Sequence, residues 1–205
     1  MAELLHHFSD WYLATLAAGG YWLIAGLMAL ESTFVPIPSE VIIPPAAYLA
    51  HTQGQLSFTG VVIAGTIGSW AGAALMYWAA RLLGYPVIVR FGRYVAITPA
   101  KLALAERWCA RYGVAGVFLS RLLPVIRHLI GIPTGLLRLD FRHYALSTLL
   151  GSLLWCTVLA WLGRTVGEHP ELIAGSLHRF FLLVLAVAAV LAALYYAFVR
   201  RVARG

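Results

Sequence analysis

Two apolar segments of this chain carry both prolines and charges, and neither can be a straight membrane-spanning helix. The first runs from Glu31 to about Ala50 and opens "ESTFVPIPSE". It contains Glu31 and Glu40, with Pro36 and Pro38 between them and Pro44 and Pro45 after them. The second, "VFLSRLLPVIRHLIGIPTGLL", covers 117 to 137 and holds Arg121, Pro124, Arg127 and Pro133. Each interior proline removes a helix hydrogen bond and disfavours helix at the residue before it. Each segment has room for two half-helices of about ten residues, roughly 15 Å apiece, which reach a bilayer midplane and return. Both are therefore read as re-entrant hairpins, broken by Pro36, Pro38, Pro124 and Pro133. Such backbone is tolerated only where it is buried in protein or lines a wet cavity.

The rest of the chain requires a membrane. Of 205 residues, 61% are hydrophobic and 11% charged, against about 25% charged in soluble domains. The mean hydropathy is +0.83. Spans are expected at the run closing with "GTIGSWAGAALMYWAARLLG", at 144–163 and at 180–199, with a shorter first helix around "GYWLIAGLMAL". Residues 1–17 read as an interfacial helix. Residues 85–112 read as an amphipathic cytoplasmic segment, with a helix start at Thr98–Pro99 and Leu102, Ala105, Trp108, Cys109 and Tyr112 on one stripe. Gly65, Gly68 and Gly72 are spaced for close helix packing. The expected fold is all-α: one polytopic domain, 1–205, with two oppositely oriented re-entrant helical hairpins in a pseudo-inverted repeat.

A net charge of +7 suggests nucleic acid in a soluble protein. Here the basic residues sit between and after apolar blocks, so they are orientation and headgroup residues, and no nucleic-acid partner is expected. Residues 81–111, the turn at Arg138 and Arg142, and the tail at Arg200, Arg201 and Arg204 carry most of them. That places both termini in the cytoplasm. Cys109 and Cys156 lack metal or disulfide spacing and read as small apolar fillers. No metal and no cofactor are called for.

Four charges inside apolar segments would cost roughly 10–14 kcal/mol if unpaired. That rivals a whole domain's stability of about 5–15 kcal/mol. Two acids in one hairpin and two bases in the other suggest mutual neutralisation around a shared polar pocket. Arginine's planar fork suits a phosphate, which makes Arg121 and Arg127 the candidate phosphate ligands. A carboxyl between burial and an arginine can exchange a proton, which makes Glu31 and Glu40 candidates for proton coupling. A structural salt-bridge network is the plainer reading of the same four residues. Arg81 reads as the end of its helix, either snorkelling or contacting a lipid headgroup. His128 reads as an interior histidine.

These motifs, in this order, resemble the DedA family, also called the SNARE-associated or VTT-domain family. "ESTFVPIPSE" is similar to its acidic hairpin, "GTIGSWAGAALMYWAARLLG" to its glycine-rich helix ending in Tyr-x-x-Gly-Arg, and "FLSRLLPVIRHLIGIPTG" to its Arg-x-x-Pro-x-x-Arg hairpin. Ser69 stands where that helix commonly has Asp or Asn, Ala80 where it has Gly, and Glu40 where some members have Asp. The resemblance implies a lipid transporter of the bacterial cytoplasmic membrane that moves undecaprenyl phosphate and is linked to the proton motive force. It carries the acidic pair onto Glu31 and Glu40 and the basic pair onto Arg121 and Arg127. Membrane lipids and polyprenyl phosphate are then the partners, and a homo-oligomer is compatible. Two alternatives stay open: a proton-coupled carrier of a small soluble ion or solute, and a phosphatidylethanolamine flippase or scramblase. An enzyme is not expected. "SRLLPVIRH" superficially matches the Ser-Arg…His of lipid phosphatases, but its histidine is one residue too far along and the upstream motifs are missing.

Overall fold

The computed structural model describes residues 2–33, 38–92, 99–122, 127 and 130–168. Six helices account for almost all of them: α1 (Ala2–Glu31), α2 (Ser39–Thr52), α3 (Phe58–Gly92), α4 (Pro99–Arg121), α5 (Gly131–Leu136) and α6 (Phe141–Glu168). No strand occurs among the described residues. Among the described residues, three stretches are long and apolar enough to cross a membrane: Trp11–Glu31, Phe58–Tyr85 and Phe141–Thr165. The expected span at 180–199, the Thr98 cap, Pro36, Pro124 and His128 lie outside the described residues.

The first span is longer than its core sequence suggested, because α1 runs on from the N-terminal segment. A break at Gly20 (φ 55°) divides it. Helix α3 likewise passes Arg81 and breaks at Gly84 (φ 74°), and α4 breaks at Gly113 (φ 51°). At all three a glycine supplies the positive φ that other residues resist.

Both proline-bearing segments are interrupted. After Glu31 the chain turns through Ser32 and Thr33, and Pro38 is the extended N-cap of α2 (φ −69°, ψ 130°). Helix α2 then passes through Pro44 and Pro45, where the prolines were expected to oppose helix. Pro45 cannot donate to the carbonyl of Val41. The Tyr12 hydroxyl donates to it instead at 2.6 Å. In the second segment α4 ends at Arg121, and α5 has only six residues. Pro133 sits in the first turn of α5, where the missing N–H has no intrahelical acceptor to lose.

The chain forms two compact units, Met1–Gly72 with Ser152–Leu172, and Ala73–Gly151 with Ile173–Gly205. In the first unit, Leu16, Ile24, Met28, Ile42, Ile43 and Leu49 make a buried core with Val61, Cys156 and Leu159. Here α3 meets α1 without side chains between them. A Cβ on Gly68 would overlap the carbonyl of Ala25, and one on Gly72 that of Ala29. In the second unit Ala73, Tyr77, Cys109, Val117, Ile130 and Tyr144 form the core. Both cysteines are buried. Burial, and then the nearby Glu106 carboxylate, push the Cys109 thiol up to about 12, so it packs as a hydrophobe. Arg107 and Arg111, on the opposite face of α4, are exposed.

Helix α6 starts at an aspartate cap. The Asp140 carboxylate accepts the His143 N–H at 3.1 Å, and this bond leads the interactions that hold its pKa below 3.8. A depressed pKa stabilises the folded state above the unfolded value and loses that contribution as pH falls through the folded one. Asp140→Ala is therefore expected to speed hydrogen exchange in the first turn of α6 at neutral pH. Asp140→Asn, an equally good cap, should not. The wild-type protein should approach the alanine variant's intrinsic-rate-corrected exchange only below about pH 4. Unchanged exchange in the alanine variant would show that the cap contributes nothing.

Candidate functional site

The candidate arginines lie in the second unit. Arg121 is the last residue of α4 and only 3% exposed. Its Nη1 donates to the main-chain carbonyl of Arg127 at 2.8 Å. Its Nη2 donates to the Tyr144 hydroxyl at 2.9 Å. That hydroxyl in turn donates to the carbonyl of Ala73 at 3.0 Å, so the arginine meets its lone pairs. The guanidinium carbon stands 5.8 Å from the Tyr144 ring centre. Nε is buried with no hydrogen-bond partner among the described residues. A Cβ on Gly151 would stand 2.6 Å from Arg121 Cβ, so α6 lies directly on the arginine stem.

Arg127 is 7% exposed. The two arginines meet through the main chain of Arg127. Arg121's fork grips the backbone of Arg127, and the Arg127 side chain is not part of that bond. A full positive charge in such a place is stabilised by oriented dipoles and an aromatic face.

The candidate acids lie in the first unit. Glu31 ends α1 and is 1% exposed. Ser32 Oγ donates to its Oε2 at 3.4 Å. Ser32 and Ser69 hydroxyls are 2.9 Å apart, and those of Ser69 and Ser152 3.1 Å. All three serines are buried. With the only proton of Ser32 directed at Glu31, Ser69 must donate to Ser32 and Ser152 to Ser69. A hydroxyl chain from the turn after α1, from α3 and from α6 thus points at one carboxylate. Ser69 had drawn notice only as a departure from a motif, and Ser32 and Ser152 not at all. Glu40 sits half-buried in the first turn of α2, where the helix dipole favours a negative charge. Ser39 beside it accepts the Trp155 Nε1–H at 3.1 Å.

Arg81 does not end its helix. It is half-buried, and its Nη1 donates to the Tyr77 hydroxyl at 2.6 Å. The Tyr77 hydroxyl donates to the carbonyl of Leu139. The guanidinium carbon lies 5.4 Å from the Trp78 ring centre and 5.9 Å from that of Tyr77. Tyr77 stacks on Tyr144 with ring centres 4.9 Å apart. No group of three or more histidine, cysteine or acidic side chains able to hold a metal occurs among the described residues.

A family model described as VTT domain matches residues 37–165. The chain is 36% identical to an "Alkaline phosphatase-like protein" of Lactococcus lactis subsp. cremoris (strain MG1363), over 84% of this chain and 82% of that one. It is 32% identical to "Undecaprenyl phosphate transporter A" of Staphylococcus aureus (strain NCTC 8325 / PS 47), over 87% of this chain and 89% of that one. It is 30% identical to "Undecaprenyl phosphate transporter A" of Bacillus subtilis (strain 168), over 82% and 84%. No solved structure matches it.

Proposed function

Because the chain belongs to the VTT-domain (DedA) family, a family of multi-pass membrane proteins, we propose that it is a membrane transporter whose substrate is a polyprenyl phosphate such as undecaprenyl phosphate. The observation that carries the reading is Arg121. A guanidinium 3% exposed, held by a tyrosine and a main-chain carbonyl, with its Nε–H unpartnered among the described residues, is a preorganised anion site. Such a site has its reorganisation done before the ligand arrives. The names of the Bacillus and Staphylococcus relatives supply the anion.

In the proposed cycle Arg121 and Arg127 take the phosphate and the prenyl tail stays in the bilayer. Glu31 or Glu40 takes up a proton in the same cycle. The two interrupted segments act as re-entrant hairpins, and the site is exposed alternately to the two sides.

The test is translocation in reconstituted vesicles of known lipid composition, with labelled undecaprenyl phosphate against labelled phosphatidylethanolamine and inorganic phosphate. Protein-dependent movement of the polyprenyl phosphate is the expected result. Preference for phosphatidylethanolamine or free phosphate would replace the substrate. The Lactococcus relative's name makes hydrolysis the competing reading. Release of inorganic phosphate from the labelled lipid, in step with protein concentration, would favour it; none is expected.

A further inference from the structure

The second unit holds another arginine built into the same framework as Arg121, and it occupies a different kind of place. Arg81 lies four residues before the end of the candidate span Phe58–Tyr85. At 1.5 Å per residue that is about 6 Å along the helix, the depth of lipid headgroups when the span is in place. Its guanidinium is fixed by the Tyr77 hydroxyl and rests near the Trp78 ring. No carboxylate lies within salt-bridge distance of it among the described residues. Around it the helix exposes apolar surface: Trp78 41%, Leu82 79%, Leu83 52% and Tyr85 46%. A half-buried cation inside an apolar collar, at headgroup depth, fits an anion that brings its own hydrocarbon tail.

Arg81 is also joined to Arg121 by a short series of contacts. Arg81 holds the Tyr77 hydroxyl, Tyr77 stacks on Tyr144, and Tyr144 holds Arg121. The interrupted segment that carries Arg127 closes against the same turn. A Cβ on Gly135 of α5 would overlap the carbonyl of Tyr77 and stand 3.2 Å from the amide of Arg81. Residues far apart in the chain are thereby held in one rigid aromatic block with a guanidinium on either side.

We propose that Arg81 is a rim site for the phosphate monoester headgroup of a membrane lipid, a capture station that precedes the buried site at Arg121, with the stacked Tyr77 and Tyr144 holding the two stations in fixed register. This deepens the transporter reading and rests on it for the order of the two stations. The existence of the rim site does not depend on transport. Arg81 and Arg121 then have different tasks: Arg81 sets how readily the lipid is taken from the bilayer, and Arg121 sets how fast it crosses.

The test uses the full chain in two formats. In vesicles, Arg81→Gln is expected to raise the half-saturating concentration of labelled undecaprenyl phosphate about tenfold, the effect of one charge-assisted contact. The maximal rate should stay within about twofold, since the buried site is intact. Arg81→Lys keeps the charge but not the fork and should fall between. Tyr77→Phe should act in the same direction through the lost anchor. An unchanged half-saturating concentration, or a loss confined to the maximal rate, overturns the capture role.

In lipid nanodiscs, the difference between wild-type and Trp78→Phe fluorescence isolates Trp78. Farnesyl phosphate is expected to change that signal, Arg81→Gln to abolish the change, and farnesol to produce none. An equal response to inorganic phosphate overturns the assignment to a lipid. A Trp78 response that needs Arg81, in a protein that moves no polyprenyl phosphate, sustains the rim site and removes the transporter reading. Thermal midpoints of the variants separate misfolding from a lost contact. Should Arg81→Gln fail to fold, the lysine variant and Tyr77→Phe carry the same readouts.

Discussion

Arg127→Ala is expected to reduce polyprenyl-phosphate translocation to the protein-free background while leaving a folded, inserted protein. Arg121→Ala is expected to lose both transport and much of the stability. The contrast comes from which atoms are shared. Arg121 Nη1 binds the carbonyl of Arg127, and that acceptor survives truncation of the Arg127 side chain. Truncating Arg121 instead leaves that carbonyl without its donor and removes one of the two bonds at Tyr144. It also empties the space under Gly151. Hydrogen bonds to charged groups are worth about 1.5–3 kcal/mol each, so the loss is a large part of a stability of about 5–15 kcal/mol. Arg121→Lys should keep the charge and part of the fold, but an ammonium cannot span both acceptors as a planar fork does. The measurements are vesicle translocation and the thermal midpoint by fluorescence-detected size exclusion. Wild-type transport in Arg127→Ala would remove Arg127 from the phosphate site. Equal midpoints for the two alanine variants would contradict the main-chain role of Arg121.

Gly68→Val and Gly72→Val are each expected to abolish the folded protein. At both positions the added Cβ meets backbone of α1, the carbonyls of Ala25 and Ala29, and backbone cannot rotate away as a side chain can. Overpacking a compliant core costs about 1–3 kcal/mol. Here relief requires parting α1 from α3 along their whole contact, and helix association in lipid depends on that close approach. Gly26→Ala, where an added Cβ meets nothing within 4 Å, is the control. It should be neutral or stabilising by up to about 1 kcal/mol through helix propensity. Monodisperse, thermally stable Gly68→Val protein would mean that α1 and α3 do not pack as described.

Much of this was readable in the sequence for a simple reason. Membrane insertion and helix interruption are local properties. A run of apolar residues, a proline or a glycine acts on its own few neighbours, so the three spans among the described residues, the two interrupted segments and the close-packed glycines follow from short windows. Arg121 and Arg127 stood out in the sequence because charges are rare in apolar segments, but the bond from Arg121 to the Arg127 main chain carries no sequence signal. Pro44 and Pro45 misled the local reading, since the acceptor that Pro45 vacates is filled by Tyr12, 29 residues away. Arg81 misled it too, as a helix end, because α3 passes it and breaks only at Gly84.

What the chain alone determined is that it enters a membrane, where it bends, and that acids and arginines must be sheltered there, since hydrocarbon tolerates neither bare charge nor bare backbone. Only the tertiary structure decided how the shelter is made: Tyr144 under Arg121, the serine chain behind Glu31, the tyrosine stack beside Arg81. Hydroxyls and rings carry no pattern that announces a partner tens of residues away. Their choice is made by packing, when helices close and each buried polar group must find whichever neighbour the fold supplies.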